Sequence, residues 1–276
     1  YIKKQLVKSI FFSLLTFLFF CNANAQYWQQ HVEYSMEVTL EHETAQYSGN
    51  QKLVYTNNSP ETLHKVFYHL YFNAFKPGSE MAVRLKNAGD KNRRFSVDLD
   101  TLSPAQQGFL KVSGLTQDGM AVKTVDAETI LEVTLNTPLG PGQSTVLELS
   151  FNGQVPDVIR RAGKNSSEGI AFSMAQWYPK LAEYDLEGWN TDPYTGREFH
   201  GVWGDFDVKI TLDKDFTVAA SGYLQNADDI GKGYSERKNP KTKKGNVTWH
   251  FIAPQVHDFT WAADTDYIHD TYPGPN

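Results

Sequence analysis

From Val32 to Leu40 every second residue is apolar (Val32, Tyr34, Met36, Val38, Leu40), with Glu33, Ser35, Glu37 and Thr39 between them. That period of two belongs to a strand with one face buried and the other solvated, because a helix would carry the charged side chains round onto the apolar face within a turn. The same alternation returns in Leu131, Val133, Leu135, in Leu147, Leu149, Phe151, in Phe206, Val208, Ile210, Leu212 and in Val247, Trp249, Phe251. No segment keeps up a helical period. The chain is therefore expected to fold as an all-β, largely antiparallel sandwich with loop excursions.

Turn residues punctuate the strands at Ser48-Gly49-Asn50, Asn57-Asn58-Ser59-Pro60, Gln117-Asp118-Gly119, Pro138 to Gly142 and Asp213-Lys214-Asp215. Val66 to Phe72 is apolar on both faces and reads as a central strand covered on both sides. Three stretches leave the pattern: Pro77 to Arg94, polar and able to hold a short helix, Arg160 to Glu168, and Tyr184 to His200. The Lys-rich stretch Gly231 to Gly245 reads as a solvated hairpin tip.

The first residues carry Lys3, Lys4 and Lys8, then an apolar run from Ile10 to Phe20, then Ala23-Asn24-Ala25 before Gln26. A basic start, a short hydrophobic centre and a small-x-small site make a signal peptide over residues 1–25, and the run is about half of the roughly 20 residues a bilayer span needs. Tyr1 stands where such a leader would begin with Met, so the chain reads as a piece of a longer protein. Removing residues 1–25 also removes the single cysteine, Cys21, and with it any thiolate chemistry. The remaining 23 basic and 32 acidic residues give a net charge of -9, not gathered into runs, which suits a soluble exported protein and offers nothing to a nucleic-acid backbone. Periplasmic or extracellular residence without membrane attachment is the expectation.

Catalytic chemistry is hard to find. His42-Glu43-Thr44-Ala45-Gln46 has the glutamate of a zincin helix but puts Gln46 where the second imidazole must be, and it reads as a turn. His64 and His69, five apart on a strand, face opposite sides. Ser113-Gly114 and Ser221-Gly222 read as strand ends rather than a nucleophile elbow, and Asp205 and Asp207 share a solvated sheet face. His200, His257 and His269 lie near acidic residues in sequence and read as structural.

A family resemblance is carried by Ser173 to Lys180 (Ser-Met-Ala-Gln-Trp-Tyr-Pro-Lys), Tyr184-Asp185, Gly188-Trp189, Glu198-Phe199, Gly204 to Leu212, Val218 to Gly222 and a closing strand His257 to Ala263. Tyr68 to Phe75 and Pro138 to Gly142 fit the same pattern. In this the chain resembles the amino-terminal domain of bacterial aminopeptidase N relatives, a family of zinc metallopeptidases. The resemblance implies a saddle-shaped β domain over residues 26–270, with 271–276 starting a linker to a thermolysin-like catalytic domain. It places the zinc, its acid/base glutamate and the peptide substrate's scissile bond in that second domain, so no metal or catalytic residue is expected in this chain. The family uses a Gln or Glu of this region to hold the substrate's free amine. The aligned position falls near Ala171 or Phe172, which cannot accept a hydrogen bond, and Gln176 is the nearest polar substitute. The competing expectation is a secreted sandwich that binds carbohydrate or peptide through Trp177, Tyr178, Trp189, Tyr194 and Trp203.

Overall fold

The computed structural model describes residues 27–88, 98–157, 161–195, 200–235, 245–270 and 272. The proposed leader, Cys21 and Glu198-Phe199 lie outside them, as do parts of the Arg160, Pro77 and Gly231 stretches. In chain order the first strands are β1 (His31–Glu41), β2 (Gln46–Thr56) and β3 (Leu63–His69), then β4 (Phe109–Gln117), β5 (Met120–Ala121) and β6 (Lys123–Ala127). β7 (Ile130–Leu139) and β8 (Ser144–Gln154) follow, in different sheets, and then β9 (Gly163–Lys164), β10 (Phe172–Met174) and β11 (Lys180–Leu181). β12 (Tyr184–Asp185) and β13 (Gly188–Trp189) make a small hairpin of their own. The last are β14 (Gly204–Asp213), β15 (Thr217–Ala220), β16 (Tyr223–Leu224), β17 (Asn246–Val256) and β18 (Trp261–Asp264).

An eight-stranded sheet in the order β16-β17-β14-β1-β2-β8-β4-β5 forms one layer, and two four-stranded sheets, β15-β18-β10-β9 and β11-β3-β7-β6, close over its inner face. β1 and β14 run parallel; the other paired strands described are antiparallel. The period-two reading of β1 holds residue by residue: Val32, Tyr34, Met36, Val38 and Leu40 are buried and the residues between them are not. The inner face is unusually aromatic. Tyr47, Phe151 and Trp177 meet edge to face at about 6 Å, and Tyr34 stacks on Phe206 at 4.7 Å. Such rings remove large apolar areas from water while their quadrupoles fix mutual orientation.

Four expectations change. Ser48-Gly49-Asn50 is mid-strand in β2, and the chain turns instead at 42–45, between β1 and β2. Gly49 is there because a Cβ would lie 2.6 Å from both the Glu37 carbonyl and the Phe151 ring. The strand from Val66 ends at His69, and Tyr71–Ala74 coils into a buried 3-10 turn. Ser113-Gly114 sits inside β4 at a β-bulge, with Gly114 in the left-handed region at φ 63°. His257 to Thr260 is loop, and the closing strand starts at Trp261. The stretch after Pro77 does hold a helix, Glu80–Ala88.

Candidate functional site

The stretch from Gln176 to Glu183 crosses the inner face of the large sheet as a strap, and polar groups buried among the aromatics hold it there. Tyr47 Oη donates to the Trp177 carbonyl at 2.6 Å, Gln51 Nε2 to the Pro179 carbonyl at 3.0 Å, and the Leu181 N–H donates to Tyr34 Oη at 2.9 Å. Tyr47 and Gln51 are inward residues of β2, and Tyr34 stands opposite Leu53 of that strand, so alternate strap residues are bonded in step along the sheet. Burial raises the Tyr34 and Tyr47 phenols above their ordinary range, which keeps both hydroxyls protonated.

The strap's other side is clamped by the loop before β18. Trp177 Nε1 donates to the Phe259 carbonyl at 3.1 Å, Tyr178 Oη donates to Asp258 Oδ1 at 2.9 Å, and Lys180 Nζ donates to the His257 carbonyl at 2.7 Å. Lys180 also pairs with Asp258 at 3.1 Å, both side chains being nearly inaccessible. Burial lowers the Lys180 pKa, and the Asp258 charge opposes that shift. Gly201 seals the site because a Cβ there would fall 2.7 Å from Lys180 Nζ and 2.9 Å from the His257 carbonyl.

Two more titratable groups flank the strap. His69 is buried, its pKa lowered to about 4 chiefly by desolvation, and its Nε2 lies 3.1 Å from the Asn190 carbonyl. A carbonyl can only accept, so Nε2 carries the proton of the neutral ring. Glu183 is 7% exposed, and burial followed by the Asp185 charge pushes its carboxyl up to about 7 against the pull of Lys180.

Gln176, the residue the resemblance offers for the substrate's amine, opens the strap at φ 61° and is 1% exposed. Its Nε2 has no hydrogen-bond partner among the described residues. A left-handed backbone costs an L-residue roughly 1–2 kcal/mol, and an unpaired buried amide costs a similar amount, so the fold sustains two penalties at one position. An amine can reach that amide only if a neighbouring segment moves aside.

The other candidates scatter. His42 and Glu43 are in the β1–β2 turn; His64 is exposed while His69 is buried; Asp205 and Asp207 share the outer face of β14, where Asp207 bonds His250 at 2.8 Å. His200 lies 4.0 Å from Asp185, His257 packs against the Trp203 ring, and His269 stacks on Tyr234. Of the five aromatics considered for a binding module, Trp177, Tyr178 and Tyr194 are buried in the core and closed to a ligand, whereas Trp203 is 51% exposed. Among the described residues no three His, Cys, Asp or Glu side chains converge as a metal would require, so these residues do not fit a zinc ion. Sequence reading carried Lys180 and Asp258 only as members of the resemblance stretches, with no buried pairing expected, and missed Glu183. Each is a charge set in an apolar or aromatic run, which is the available sign of a buried partner.

No protein-family model matches the chain, and no curated protein matches it either. Solved structures do. A crystal structure of an M1 zinc metallopeptidase mutant from Deinococcus radiodurans, bound to a Tyr-Ser-Ala substrate, is 17% identical with a TM-score of 0.47, covering 85% of this chain and 42% of its own. A second crystal structure of M1 zinc metallopeptidase from the same organism is 17% identical with a TM-score of 0.46, covering 85% and 41%. The chain thus spans less than half the length of the structures it matches.

Proposed function

We propose that this chain is the amino-terminal, non-catalytic β domain of an exported zinc aminopeptidase. The observation that carries the reading is where the fold places the residues of the family resemblance. Trp177, Tyr178 and Lys180 from one quoted stretch meet His257, Asp258 and Phe259 from another, 77 or more residues away, in a single buried clamp. These stretches are the keystone of the fold, so their occurrence together reflects architecture.

In this reading the peptide substrate and the zinc belong to a catalytic domain outside the chain, and residues 271–276 begin the linker to it. Gln176 is the polar group of this domain offered to the substrate's amine, through its side-chain oxygen as acceptor, supported by its strained backbone. Residues 1–25 direct export and are removed, leaving a soluble periplasmic or extracellular protein that does not bind nucleic acid.

Dialysed against a zinc-containing buffer and then against metal-free buffer, the purified chain is expected to retain well under one equivalent of zinc and to leave amino-acid anilides uncut. Stoichiometric zinc, or hydrolysis that a chelator abolishes, would contradict the assignment.

A further inference from the structure

Glu183 joins the strap to the β12–β13 hairpin, and its surroundings are those of a carboxyl built to be neutral. Its side chain is 7% exposed, and among the described residues no hydrogen bond or ion pair reaches its carboxylate. The charged and titratable groups that face it come from three elements: Asp185 from the hairpin, Lys180 from the strap, and Tyr55 from β2. Lys180 directs its ammonium to Asp258 and the His257 carbonyl, and Asp185 repels a second negative charge. Tyr55's hydroxyl has no hydrogen-bond partner among the described residues, and burial first, then the charges of Glu183 and Tyr184, hold its phenol above the ordinary value.

The hairpin depends on this residue. The Glu183 carbonyl accepts the Asn190 N–H at 2.8 Å, the bond that brings the chain back after the turn. Beyond it, Tyr184 stacks on Trp28 at 5.9 Å and Trp189 lies 5.5 Å from Phe67, so the hairpin covers the aromatic side of the β3 sheet. Tyr184 Oη donates to Glu61 at 2.6 Å, and Asn190 Nδ2 donates to Asp185 at 2.9 Å.

We propose that Glu183 is a proton-linked latch: its neutral carboxyl keeps the Tyr184 to Asn190 hairpin seated, and ionisation loosens the hairpin by leaving a charge with no ion-pair partner among the described residues in a largely buried position. The sign follows from linkage. Opening returns the carboxyl to water and to its ordinary value near 4.5, whereas the seated state holds it at about 7. The seated state is therefore favoured fully below the lower value. The opening constant rises about tenfold per pH unit between the two values and levels off above the higher one.

The decisive experiment follows amide hydrogen exchange of Asn190 in the chain between about pH 5 and 8, as a protection factor with the intrinsic pH dependence removed. The unmodified chain is expected to lose protection at Asn190 about tenfold per unit up to near pH 7 and then hold steady. Glu183→Gln, neutral at every pH and nearly the same shape, is expected to keep Asn190 protected throughout. In parallel, the Glu183 side-chain carboxyl carbon of the unmodified chain should titrate near 7 by NMR. A flat protection profile in the unmodified chain, the same fall in Glu183→Gln, or a Glu183 carboxyl titrating in the ordinary carboxylate range would overturn the proposal. The carboxyl titration decides even if the variant folds poorly.

Discussion

Replacing Asp258 with alanine is expected to cost about 3–5 kcal/mol of folding free energy, because it removes the carboxylate of a buried ion pair. Lys180 is 2% exposed and its carboxylate partner is 3.1 Å away. Removing Asp258 takes away the carboxylate that faces the Lys180 ammonium, and it also removes the acceptor for Tyr178 Oη and for the Phe259 N–H. The same physics predicts an asymmetry. A Lys180→Met, Asp258→Asn double variant, which neutralises both partners while keeping an acceptor for Tyr178, should recover most of the loss, since a well-packed neutral pair avoids the desolvation of two ions. Urea denaturation of the single and double variants reads both numbers. A loss below about 1 kcal/mol in Asp258→Ala would mean that water reaches Lys180 and that the clamp is an ordinary surface pair.

Trp177→Ala should be comparably damaging, at about 3–5 kcal/mol, for a reason that is mostly packing. Trp177 is fully buried and touches the rings of Tyr47, Phe151 and Trp261, from three separated parts of the chain, besides its neighbour Tyr178. Truncation leaves a cavity bordered by the eight-stranded sheet and the β15-β18-β10-β9 sheet, which cannot both collapse into it, and orphans the Phe259 carbonyl that the indole satisfies. Trp177→Phe keeps part of the volume and loses the donor, so it should fall between the unmodified chain and alanine. Thermal unfolding by near-ultraviolet circular dichroism follows this series, and equal stability for alanine and tryptophan would remove the strap from the account of the core.

The large sheet was legible because its strands are half-solvated. In β1, β8 and β14 the pleat prints directly on the sequence as alternating burial, and the fold class follows from that. Where both faces are covered the pattern vanishes. Tyr68 to Phe75 is buried throughout, and nothing local marks the change from extended β3 to the coil of Tyr71–Ala74. Gly49 misled for a related reason, since a glycine that makes room for the Phe151 ring looks the same in sequence as one that turns the chain. The site was less legible still. Gln176 is offered by the resemblance alone, and its left-handed backbone is set by tertiary context. The clamp joins Lys180 to His257 across 77 residues and to Asp258 next to it, and a long-range ion pair has no spacing to read.

The central claim, that this domain serves a zinc peptidase whose chemistry lies in another domain, is tested most directly by reading the coding sequence that follows Asn276. The account predicts an open frame running into a helical domain with a glycine-rich exopeptidase motif, then His-Glu-x-x-His and a downstream glutamate, the spacing that lets two imidazoles and a carboxylate hold one zinc. A stop codon within a few tens of codons, or a long continuation without the paired histidines, would contradict it.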